Sequence, residues 1–121
     1  MIKHRINLSV MKGRISMTGN EYQQLALKTA EEKCRNLNNL GLGLMGESGK
    51  AGDAIKKHLW QNEPLDKKYI IHKLGAVLWY MAVLADVLGV QLDDIFKNNI
   101  KEIKAEYPKL WEQNSKSNSQ M

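Results

Sequence analysis

Residues 67–88 constrain the fold more than any other part of the chain. Ile70, Leu74, Val77, Leu78, Met81, Leu84 and Leu88 recur at three- and four-residue intervals. That is the period of one face of an α-helix and not the strict alternation of a half-buried strand. Asn62-Glu63-Pro64 breaks the chain before this segment, and Gly89 stands where a left-handed residue would stop it. A helix roughly 33 Å long with so wide an apolar stripe needs other helices packed against it.

Three further helices can be read around it. Thr18 and Glu21 have capping-box spacing, and Tyr22, Leu25, Ala26, Thr29 and Ala30 follow at helical intervals. Asn36 to Asn39 mark a turn. A long helix is then predicted over 40–60, with Leu44, Ala51, Ile55 and Leu59 on one face. After Gly89, Asp93 and Asp94 suit a first helical turn, where acids complement the dipole; that helix carries Ile95, Phe96, Ile103 and Tyr107 and is expected to end at Pro108. No strand pattern competes. The expectation is an all-α, four-helix hairpin bundle over 18–111, completed by oligomerisation because one small layer pair buries limited area. Residues 1–17 read as a basic flexible arm and 112–121 as a disordered polar tail. Met17 is an alternative native start, since Lys12-Gly13-Arg14 can be encoded by a purine-rich stretch placed like a ribosome-binding site.

The formal charge of +5 suggests a nucleic-acid binder. Its distribution argues against one: Lys3, Arg5, Lys12 and Arg14 put +4 in the first 16 residues, and the rest carries 14 basic against 13 acidic side chains. The domain is nearly neutral, with no aromatic-and-basic surface following the arm. The apolar runs fall short of the roughly 18–20 residues of a membrane span, and the basic start lacks the apolar core of a secretory signal. Cys34 stands alone and cannot form an internal disulfide, so a reducing cytoplasm is the expected location.

Two glycine patterns mislead. Gly41, Gly43 and Gly46 match a dinucleotide-binding fingerprint, but that motif needs a preceding strand, and helical sequence lies on both sides here. Gly49-Lys50 faintly matches a phosphate loop, yet Leu44 stands at the required first glycine and Ala51 at the required Ser/Thr. Each helical glycine costs up to about 1 kcal/mol against alanine, so close packing is the simpler reading. No helix-spaced partner accompanies His58 or His72, which argues against zinc. Asp53 and Asp86 read as solvated surface, Cys34 as a small packing residue, and Trp60, Trp79 and Tyr80 as core or subunit contacts, with base contact by Trp79 or Tyr80 as the alternative.

Gly46-Glu47 to Lys57, then His72-Lys73 to Ala82, with Asn20-Glu21-Tyr22-Gln23 before them and Asn99-Ile100 to Tyr107-Pro108 after, resemble the MazG-like all-α nucleoside triphosphate pyrophosphohydrolases. The likeness runs from Thr18 to Trp111. It implies a family that cleaves the α–β phosphate bond of (d)NTPs, releasing pyrophosphate and NMP. It further implies Mg²⁺ held by E-x-x-E on one helix and E-x-x-D on the next, the subunits pairing as dimers or tetramers. Residues three apart share a helix face, so two facing helices can offer four oxygen ligands to a hard cation that activates water.

Mapped onto that pattern, the ligand positions here are Glu47, Lys50, Lys73 and Ala76. A full site carries four negative charges; this one sums to +1. An ammonium about 4 Å from a divalent ion is repelled by roughly 8 kcal/mol at an effective dielectric of about 20. Glu47 alone could contact metal. Where relatives place triphosphate-binding bases after the position of Asn99, this chain has Glu102 and Glu106, so Lys50 or Lys73 is expected to pair with one of them. The reading is a family member without catalysis that binds a partner or a phosphorylated ligand as a homodimer or homotetramer. Lys50, Lys56, Lys57, Lys73 and Asn99 are its candidate phosphate contacts. A residual Mg²⁺-dependent pyrophosphohydrolase is the alternative.

Overall fold

The computed structural model describes residues 16–118. The expected arm lies almost wholly outside them. Among the described residues the protein is all-helical, without strands: α1 Gly19–Leu27, a 3₁₀ turn Glu32–Cys34, α2 Leu37–Trp60, α3 Lys67–Val87, α4 Leu92–Glu106 and α5 Pro108–Asn118.

Local chemistry sets the boundaries. Glu21 N–H donates to Thr18 Oγ1 at 3.0 Å and Thr18 N–H to Glu21 Oε1 at 3.3 Å, completing the capping box. Asn36 caps α2 by accepting from Asn39 N–H at 2.8 Å, which starts that helix three residues before Leu40. Asp66 does the same for α3 through Tyr69 N–H at 3.0 Å. Gly89, at φ +78°, ends α3 in a Schellman arrangement, with Gly89 N–H donating to Asp86 O and Val90 N–H to Ala85 O. Tyr107 leaves helical geometry, and Pro108 then opens α5, since the first helical position needs no N–H. The helical path therefore continues to Asn118, through residues assigned by sequence to a disordered tail.

α2 and α3 form an antiparallel hairpin, and α1 and α4 pack at one end of it. Two small clusters make the core: Ala26, Ala82 and Leu92, with Tyr22, Leu78, Trp79, Met81 and Ile95 against them, and Ala30, Leu40 and Val83, with Leu27, Trp79, Tyr80 and Leu84. Gly43 is where a glycine is required, because a Cβ there would run into the Tyr80 ring.

α2 is about 36 Å long and α1 about 14 Å, so α1 covers only part of the hairpin. Toward the α2–α3 turn the layer is bare: Leu59, Ile71 and Leu74 are 64%, 67% and 55% exposed. α3 is also the one helix among the described residues long and apolar enough to cross a membrane, with a mean hydropathy of 1.5 and 17% of the window buried. Its uncharged run, 74–85 between Lys73 and Asp86, is itself short of the roughly 18–20 residues of a full span. In the fold this helix is the one on which α1 and α2 pack.

Candidate functional site: the Glu47 ion cluster

The antiparallel register brings the sequence-selected positions together. On α3, Tyr69, Lys73, Ala76, Tyr80 and Val83 repeat at four and three residues and so share one face. Val83 shares a cluster with Leu40 of α2, and Tyr80 lies over Gly43. One turn beyond Gly43 on α2 and two turns before Tyr80 on α3, Glu47 meets Lys73. Lys73 Nζ stands 3.0 Å from Glu47 Oε2, and Lys50 Nζ, three residues along α2, stands 3.6 Å from Oε1. The Lys73 and Glu47 side chains are 15% and 19% exposed, while Lys50 is 55% exposed. Lys73 Nζ also lies 5.4 Å from the centre of the Tyr69 ring, within cation–π range.

Glu47 is thus a carboxylate with an ammonium at each oxygen. Its Oε2 is shielded from solvent, and the Lys73 ion pair is its one polar contact. The hydrogen bond from Lys73 holds the carboxyl below its usual pKa, the charge of Lys50 adds to this, and partial burial opposes it.

This geometry corrects the expected partners. Lys50 and Lys73 both turn to Glu47, and among the described residues neither pairs with Glu102 or Glu106. Glu102 instead accepts from Asn98 Nδ2 at 2.9 Å, four residues back on α4. The physical reason is distance along the fold: α4 packs through its first turn, at Leu92, and its later turns leave the bundle. Asn99 therefore sits on an element that makes no hydrogen bond or ion pair with the cluster. Lys56 and Lys57 are drawn to Asp53 at 3.3 and 3.1 Å; that pairing lowers the Asp53 pKa and raises that of Lys57.

A magnesium cage does not fit these residues. Hard cations take several oxygen ligands, whereas positions 50, 73 and 76 offer two ammonium groups and a methyl. Among the described residues no group of three or more His, Cys, Asp or Glu is placed to hold a metal. Trp79 and Tyr80 serve packing. Trp79 Nε1 donates to Thr29 Oγ1 at 2.9 Å, and the two rings meet edge-on at 5.1 Å.

Sequence reasoning missed the best-satisfied buried polar group. Gln23 is 2% exposed. Its Nε2 donates to Ala82 O at 3.1 Å and Val90 O at 3.2 Å, and its Oε1 accepts from Leu92 N–H at 3.0 Å. Asn20, one turn earlier, accepts from Asp93 N–H at 2.9 Å. Together they satisfy two of the open N–H groups that begin α4. The signal was present in the sequence, as a glutamine three residues before core Ala26.

No family model matches the chain, and no solved structure matches it. A similar protein is the Gene 37 protein of Mycobacterium phage L5, 27% identical over 78 residues, which are 61% of this chain and 68% of that protein.

Proposed function

We propose that this protein is a non-catalytic relative of the MazG-like nucleoside triphosphate pyrophosphohydrolases that works by binding and assembly in the cytoplasm. The observation that supports this most is the Glu47 cluster: the sole carboxylate of the four positions has Lys73 on one oxygen and Lys50 on the other. In such a site the cation's place is filled by protein ammonium groups, and water gains no metal to activate it. Partner binding is favoured over a phosphorylated ligand for two reasons. The lysines suited to phosphate are already engaged by Glu47 and Asp53. The outer half of the α2–α3 hairpin also leaves large apolar side chains uncovered, and pairing that layer with a second copy would build a four-helix bundle.

The test is calorimetry with NTPs and dNTPs, in magnesium and then in EDTA, together with pyrophosphate release. No turnover in either buffer is the expected result. Magnesium-dependent turnover lost in Glu47→Ala would instead establish a residual enzyme. Binding that survives EDTA and is lost in Lys50→Glu would establish a phosphate-ligand protein.

A further inference from the structure

After its first turn, α4 is sorted by charge. Lys97, Lys101 and Lys104 follow at four and three residues, within about 60° of helical arc, and all three are exposed. None of them has an ion-pair partner among the described residues. Glu102 and Glu106 stand about 140–180° around the helix from Lys97, and Glu102 is engaged by Asn98. The acids of the first turn are used locally: Asp94 accepts from Gln91 N–H at 3.2 Å, and Asp93 lies against Gly19 of α1. Beside the lysines, Ile100, Ile103 and Tyr107 form an apolar strip, 47%, 37% and 50% exposed.

We infer that this face of α4 rests on an anionic lipid surface, with the strip at the acyl boundary and the lysines among the headgroups. A basic arc adjoining an apolar strip, with the acids on the far side, is the layout of a helix that lies in a membrane interface. With strip and lysines turned down, Glu102 and Glu106 point away from the lipid. The face is free to do this because α4 docks on the bundle through Leu92 and Ile95, near its start. Charge complementarity selects the occupant. Three like charges in one arc oppose a second copy of the same face and attract an anionic one. Nucleic-acid phosphates would suit the lysines but leave the strip uncovered, whereas a bilayer accounts for both. With 15 residues, α4 is too short to span a bilayer, so the contact is interfacial and reversible. A lysine near an anionic leaflet strengthens binding by about fivefold. The contact is separate from the hairpin layer and does not depend on pairing with a second copy.

Flotation of the full chain with vesicles tests this, with circular dichroism confirming that each variant keeps its helicity. The wild type, monomeric or paired, is expected to float with phosphatidylcholine–phosphatidylserine vesicles, not with phosphatidylcholine alone, and to be released as salt is raised. Replacing the lysines together, as Lys97→Gln, Lys101→Gln and Lys104→Gln, should weaken binding by about 100-fold. Ile100→Ser with Ile103→Ser should also release the protein. Lys67→Gln with Lys68→Gln, which alters exposed lysines at the start of α3, should bind as wild type. No flotation with anionic vesicles would overturn the inference, as would binding lost in the Lys67 and Lys68 variant but kept in the α4 lysine variant. Binding that needs the lysines but not Ile100 and Ile103, with equal binding of a single-stranded oligonucleotide in fluorescence anisotropy, would assign the face to polyanions and refute the lipid contact.

Discussion

Replacing Gln23 with leucine removes three hydrogen bonds without removing much volume. In the native fold those bonds bridge α1 to the backbone of α3 at Ala82, the turn at Val90 and the first amide of α4 at Leu92. A leucine can neither donate nor accept. It leaves the Leu92 amide and the Val90 carbonyl facing an apolar side chain in a site that is 2% exposed, whereas the Ala82 carbonyl, inside α3, keeps its helical bond. Each buried group left unpaired costs about 1–3 kcal/mol, and the leucine recovers part of this through its larger apolar area. The net expectation is a loss of about 3 kcal/mol, a Tm lower by roughly 12 °C for a domain of this size. Urea titration followed by circular dichroism reads the free energy, and hydrogen exchange at the Leu92 amide reads the location. Asn20→Ala, which removes a single bond at Asp93, provides the scale at about 1 kcal/mol. A Gln23→Leu protein within 1 kcal/mol of wild type by these measures, a bound set by the worth of one ordinary hydrogen bond of about that size, would refute the claim that this side chain ties α4 to the bundle.

Other predictions follow from the cluster and the glycines. The Glu47 carboxyl is held below its ordinary pKa by Lys73 and Lys50, so its contribution is present above the unfolded-state value and lost as pH falls through the folded one. Thermal melts from neutral to acid pH should therefore show wild type and Glu47→Gln converging at low pH; a constant gap would deny the ion pair its role. Gly43→Ala should destabilise by about 1–3 kcal/mol because the added methyl meets the Tyr80 ring. Gly49→Ala has open space around it and should stabilise the protomer by up to about 1 kcal/mol, as read by denaturant melts of both variants.

Apolar periodicity, capping residues and Gly89 were enough to establish an all-α chain and to set most helix ends, because these depend on neighbours within a few residues. The same locality explains why 112–118 were assigned to a disordered tail: past Trp111 the sequence is polar, and polarity alone does not distinguish a free segment from a helix running along solvent. At the site, the expected resemblance grouped Glu47, Lys50, Lys73 and Ala76, and the fold brings the first three into contact. Sequence alone could not choose the partner of the lysines. Glu102 and Glu106 were equally acidic candidates, and only the path of α4 away from the hairpin decided for Glu47. Gln23 shows the same division. Its place on a core-facing stripe is written in the sequence, but the carbonyls and amide that justify a buried amide side chain come from residues 59, 67 and 69 positions away. Hydrogen-bond partners at that separation exist only once the chain has folded.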